Sequence, residues 1–179
     1  MKKIKLLTCV FISVLATVTT SCSNDDDAVD DTPIAVANEF TYDGATYALS
    51  QGFLEDYGDN GNGSYDFDIT LLSDDFTLDT VNQSITGTGE AVYLDLNSDN
   101  MTDLSDGTYI FAANRDAFTL VVAGIFIDYN ITAETGTLVE ATGGEVILSK
   151  LGTTYTISFD LTTAAGDITG RYEGTLTRL

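Results

Sequence analysis

The chain has 179 residues, with 28 Asp+Glu against 7 Lys+Arg, no histidine and no tryptophan. A field of that sign repels phosphate backbones and anionic headgroups, which argues against nucleic acid and against direct lipid-surface binding. The missing histidine removes the usual general base, a common metal ligand, and Ser-His-Asp or Cys-His catalysis.

At the N-terminus, Lys2, Lys3 and Lys5 precede an apolar run from Leu6 to Val18, and Thr19, Thr20 and Ser21 then lead to Cys22. This is the layout of a secretory signal, too short and wrongly flanked to span a bilayer. No A-x-A cleavage site is present. The apolar-small-small-Cys order instead resembles a bacterial lipobox, with Thr19 where the usual pattern has Leu. The resemblance implies a signal peptide over residues 1–21, cleavage before Cys22 and lipidation of that cysteine with palmitate-like chains. Cys9 leaves with the signal, so Cys22 is the one cysteine of the processed chain and no intramolecular disulfide forms. Several acyl chains at one site suffice for stable membrane attachment.

The stretch Cys22-Ser23-Asn24-Asp25-Asp26-Asp27 is similar to the start of many Bacteroidetes-type lipoproteins, in which acids after the lipidated cysteine act as a surface-export signal. That resemblance implies an outer-membrane protein facing the cell exterior; without export it faces the periplasm. Residues 22–179 keep four Lys+Arg and all 28 acidic residues, a net charge of −24. Such a charge keeps the chain dispersed and attracts divalent cations and basic partners.

Residues 22–38 are acidic, carry the only proline and show no sustained period, so they read as a tether. From Glu39 to Leu179 the pattern is that of one all-β domain. Phe40-Thr41-Tyr42 and Ala45-Thr46-Tyr47 flank Asp43-Gly44, the signature of a type I′ hairpin. That turn sets Tyr42 against Ala45, Thr41 against Thr46 and Phe40 against Tyr47. Phe40, Tyr42, Tyr47 and Leu49 then share one face.

Tyr65, Phe67, Ile69 and Leu71 alternate with acids and Thr70, and Val92, Leu94 and Leu96 alternate with Tyr93 and Asp95. Tyr155 to Leu161 and Ile168 to Leu176 alternate in the same way. Each reads as a half-buried antiparallel strand with its polar side in water. The apolar stretch Phe118–Ile131 predicts one or two buried central strands. No segment has a clean helical period; the best candidate, Asp74 to Val81, is threonine-rich. The spacing predicts an antiparallel β-sandwich of about nine or ten strands. The alternative is a small calycin-like β-barrel, because Gly144 to Leu179 reads as a plain meander. Gly170 and Gly174 on the apolar face of the last strand predict a bend, a bulge or an aromatic ring over bare backbone.

In the segment DLNSDNMTDLSD, Asp95, Asn97, Asp99, Asp103 and Asp106 fall at positions 1, 3, 5, 9 and 12 of an EF-hand-like calcium loop. Against calcium stand Asn100 at the glycine position, Asp106 in place of a longer Glu, and strand-like flanks. The same residues read first as a solvated hairpin loop, since Asn and Asp make turns. The glycine-rich loop from Asp56 to Asp66 has no distinct donor spacing. Tyr57, Tyr65 and Tyr129 could grip a glycan or protein, or pack their rings and send their hydroxyls to water. Among so many acids, paired carboxylates for glycoside hydrolysis arise by chance. No nucleophile elbow, P-loop, dinucleotide fingerprint or zinc spacing is present.

The chain also resembles small β-sandwich lipoproteins of Bacteroidetes, with a Y-D-G-x-x-Y opening hairpin (Tyr42 to Tyr47) and a G-x-Y-x-G-x-L ending (Gly170 to Leu176). The resemblance implies no particular activity. The expectation is a non-enzymatic binding or interaction module with a glycan or protein partner, held to the membrane by its lipid. An apolar-ligand carrier would need an unfilled cavity. A hydrolase would need two carboxylates converging in one cleft, with one pKa raised by burial.

Overall fold

The computed structural model describes residues 37–79, 82 and 84–179. The signal peptide, Cys22 and the tether up to residue 36 lie outside the described residues. Ala35–Leu179 is one compact unit.

The elements in chain order are β1 (Glu39–Tyr42), β2 (Ala45–Ala48), β3 (Gln51–Asp59), β4 (Tyr65–Leu72), β5 (Phe76–Asp79), β6 (Ser84–Ser98), β7 (Gly107–Phe111), β8 (Thr119–Asn130), β9 (Thr135–Leu151), β10 (Thr154–Thr163), β11 (Gly166–Gly174) and β12 (Thr177–Arg178). The described residues contain no helix. Asp43 and Gly44 have φ of 50° and 76°, as a type I′ turn requires. The register follows from that turn, with Phe40 opposite Tyr47 and Tyr42 opposite Ala45. Phe118–Ile131 contains the single strand β8.

Hydrogen bonding runs as one path, β12-β3-β4-β6-β8-β7-β9-β10-β11-β1-β2, with β5 attached to β6 and an added β8–β9 pairing. Two short pairings, β7–β8 and β12–β3, are parallel. The strands therefore do not divide into two separately paired sheets. The sheet is strongly curled into a half-barrel.

The curl brings the ends of the path together. Leu49 and Ser50 carry the chain from β2, at one end, to β3, next to the other. Thr175 and Leu176 do the same between β11 and β12. Across this seam Tyr172 and Leu176 lie on Gly52: a Cβ there would be 2.4 Å from Leu176 Cδ2 and 3.1 Å from the Tyr172 ring. The concave side holds the larger core, with Phe67, Ile69, Leu94, Leu96, Tyr109 and Ile157 among its fully buried members. Burying each large apolar side chain contributes about 1.5–3 kcal/mol. Phe159 lies over bare backbone, because Gly170 faces it in the β10–β11 pairing and Phe40 from the other side.

Candidate functional site

Alternation in β4 and β6 sends Phe67, Ile69 and Leu71, with Val92, Leu94 and Leu96, into the core. Asp66, Asp68 and Thr70, with Tyr93, Asp95 and Asn97, therefore occupy the convex outer face. Pairing sets Glu55 opposite Asp68 and Asp68 opposite Asp95. Three carboxylates thus stand in a row across β3, β4 and β6. Like charges directly opposite one another destabilise a sheet. Asp68 and Asp95 are only 7% and 5% exposed, so water screens them poorly.

A loop over residues 112–118 covers one end of the row. Arg115 binds Asp95 through both terminal nitrogens, at 3.2 and 3.0 Å, and reaches Asp66 Oδ2 at 2.6 Å. The loop is held by its backbone: Asn62 Nδ2 and Ser64 Oγ both donate to the Arg115 carbonyl, at 2.9 and 2.5 Å. Beneath it, the fully buried Asn97 accepts from Asn60 Nδ2 at 2.7 Å and donates to Thr119 Oγ1 at 3.1 Å. Phe118 N then donates to the Asn97 carbonyl at 2.7 Å. The glycine-rich loop and the 112–118 loop are locked together over β6.

Among the described residues no cation pairs with Asp68. Tyr93 donates to its Oδ2 at 2.5 Å, while burial first, then Asp95, Asp66 and Glu55, push its pKa up to about 6. The Asp95 carboxyl is also raised, by burial and then Asp66, with Arg115 opposing. Burial and then the Asp68 hydrogen bond raise the Tyr93 hydroxyl. Asp66 Oδ1 is buried without a hydrogen-bond partner among the described residues. Beside the row Tyr57 is 63% exposed; Glu55 is the first cause of its raised pKa.

No protein-family model, curated protein or solved structure matches the chain.

The five residues of the calcium-like spacing fall into different surroundings. Asp95 and Asn97 lie within β6, bound to Arg115 and to Asn60 and Thr119. Asp99 accepts from Ser105 Oγ at 2.6 Å. Asp103 accepts from Tyr155 at 2.5 Å, pairs with Lys150 and lies 3.2 Å from Arg178. Burial opposes its ionisation, but hydrogen bonds from Lys150 and Tyr155 outweigh it and hold the Asp103 carboxyl below its usual range. Asp106 precedes β7. Among the described residues, the carboxylates close enough to share one ion are instead Asp66, Asp68 and Asp95, with oxygens within 4.8 Å of one another. A cation there would compete with Arg115 for Asp66 and Asp95.

Of the tyrosines, Tyr65 packs against the core and Tyr129 against the Phe126 ring at 4.8 Å between centroids. Tyr57 is exposed beside the row and hydrogen-bonds with the Glu55 side chain. Sequence reasoning left out Glu55, Asp68, Tyr93 and Arg115. The available signal was Arg115, one of just four cations after the leader, whose charge the fold was bound to use. Chemically, the face offers carboxylate oxygens, a guanidinium edge and an exposed phenol, a set suited to hydroxyl-rich or cationic partners.

Proposed function

We propose that the protein is a lipid-anchored, non-enzymatic binding module on the outer membrane, facing the cell exterior and presenting the outer face of β3, β4 and β6 to a glycan or protein partner. The leader, Cys22 and the following aspartates support the anchor and the address. The observation that carries the binding role is the row Glu55–Asp68–Asp95, a like-charge arrangement kept beside an exposed tyrosine. Local rules are broken in this way where function demands it. Carboxylates accept hydrogen bonds from sugar hydroxyls, and a tyrosine ring stacks on a sugar face. The test is a glycan array and pull-down from surface extracts with residues 23–179, wild type against Tyr57→Ala. Retained partner capture in the variant overturns the assignment of the face. Cys22→Ala in the full chain abolishes fatty-acid labelling and membrane fractionation; unchanged labelling overturns the anchor.

A second reading, a carboxylate-based glycoside hydrolase, is favoured by one observation: Asp68, raised to about 6 by burial, faces Asp95 across a strand pair. It requires aryl-glycoside hydrolysis lost in Asp68→Asn.

A further inference from the structure

The outer face carries a second, smaller apolar cluster, formed by Phe53, Leu72, Phe76 and Ala91. β5 folds back on the first part of β6, where Leu78 and Ile85 stand in register. Between this ribbon and the β3–β12 edge lies a cleft of about 560 Å³, within the range of about 300–1,000 Å³ typical of small-ligand pockets. Leu78, Ile85, Ile131 and Leu179 supply its apolar lining, and Glu55 enters from β3.

The cleft is lined by one acid, Glu55, and one cation, Arg178. The Arg178 guanidinium is held away from Glu55: it donates to the Thr102 carbonyl at 2.6 Å and shares Asp103 with Lys150. The other three cations of the domain are also engaged: Arg115 with Asp66 and Asp95, Lys150 with Asp103, and Arg171 with Glu173. Glu55 has no ion pair among the described residues. It stands opposite Asp68, so the apolar cleft opens at Glu55 onto the carboxylate row.

We propose that this cleft binds a cationic amphiphile, its apolar part against Leu78, Ile85, Ile131 and Leu179 and its ammonium or guanidinium group at Glu55. The inference rests on the reading of the chain as a binding module and names the ligand class for one end of the same face. The apolar walls provide the affinity, through surface removed from water. The Glu55 carboxylate, which has no ion pair among the described residues, provides the selection, since it repels an anionic head while Thr102 and Asp103 hold the Arg178 guanidinium.

The test uses residues 23–179 titrated calorimetrically with decyltrimethylammonium and, separately, decanoate, both below micelle formation. Decyltrimethylammonium binds at one saturable site and decanoate at least about tenfold more weakly. Glu55→Gln and Ile85→Gln, on partly exposed positions, each weaken the ammonium by about tenfold while the thermal unfolding midpoint stays within a few degrees. Should either substitution unfold the domain, Leu78→Gln and added salt replace it, both weakening the ammonium. Equal affinity for the two probes, no saturable site, or binding that survives either substitution in a folded variant overturns the proposal. The Tyr57→Ala comparison is read independently, so absence of the amphiphile site in a chain whose partner capture depends on Tyr57 removes this inference alone.

Discussion

Asp68 and Asp95 stand directly opposite each other on neighbouring antiparallel strands, both almost wholly buried, yet among the described residues only Asp95 has a cation. Asp68 relies on one phenolic hydroxyl. Its pKa is raised from 3.8 to about 6, so the folded state holds a proton that the unfolded state gives up between those values. Stability from this group is full below the unfolded pKa and falls as pH rises towards 6. Asp68→Asn removes the titration and keeps an acceptor for Tyr93. The variant is expected to gain about 1–3 kcal/mol at pH 7.5 and nothing at pH 4. Urea unfolding at the two pH values measures it; an equal effect at both would contradict the assignment.

Arg115 is the complementary case. Its guanidinium binds two acids, one of them 6% exposed at the side chain, although Arg115 itself is 40% exposed. Arg115→Ala leaves both carboxylates without their cation and is expected to cost about 2–3 kcal/mol, below the full buried-pair penalty because solvent reaches the guanidinium. Adding Asp95→Asn restores part of the loss. Arg115→Lys restores little, since an ammonium cannot make the two-pronged contact. Denaturant midpoints of the four proteins check this, and full rescue by Lys would refute the geometry.

Gly170 lacks a side chain because Phe159 occupies the space. A Cβ there would lie 2.3 Å from Phe159 Cζ and 2.8 Å from the Glu39 carbonyl. Gly170→Ala is expected to destabilise the domain by about 1–3 kcal/mol by overpacking, and Phe159→Leu in the same chain to recover part of it. Thermal unfolding with and without the second change is the measurement; additive losses would exclude this contact as the cause.

Asp103 ties its own loop to the β9–β10 hairpin, through Lys150 and Tyr155, and to β12, through Arg178. β12 is otherwise held by two residue pairs with β3, by Leu179 N donating to the Leu54 carbonyl and by Arg178 donating to the Thr102 carbonyl. Asp103→Ala is expected to accelerate amide exchange at Thr177 to Leu179 by at least about tenfold while the β4–β6 amides change little. Because the Asp103 carboxyl is held below its usual range, its contribution is present at neutral pH and is lost as pH falls through that lowered value. Exchange mapped at pH 7 gives the comparison; uniform acceleration would point to global unfolding instead.

The hairpin at Asp43-Gly44 was legible from the sequence because a two-residue turn fixes its own register. The β9–β10–β11 meander was legible because its strands are consecutive and its loops short. The candidate site was not. Alternation in β4 and β6 assigns Asp66, Asp68 and Asp95 to water, and nothing local to those strands announces that residues 112–118 return to cover them. The calcium-like spacing fails to gather its donors for a related reason. In an extended chain, residues two apart sit about 6.5 Å apart along the strand, so Asp95 and Asn97 within β6 are spread where a tight loop would converge them. The single curled path was hidden too, since sandwich and barrel share the same strand alternation and differ only in which edges meet.

The strand order also determines how the domain carries load. β1 sits between β11 and β2 in the strand order rather than at its end. A pull on the chain ahead of Glu39 therefore acts on a strand flanked on both sides, and must break its pairing with Thr169–Arg171 as well as the hairpin to Ala45–Ala48. A strand at the border of the sheet would peel one bond at a time. Here the force divides between two neighbours, and the stacked rings of Phe40 and Tyr47, 4.9 Å apart, must part before β1 can leave.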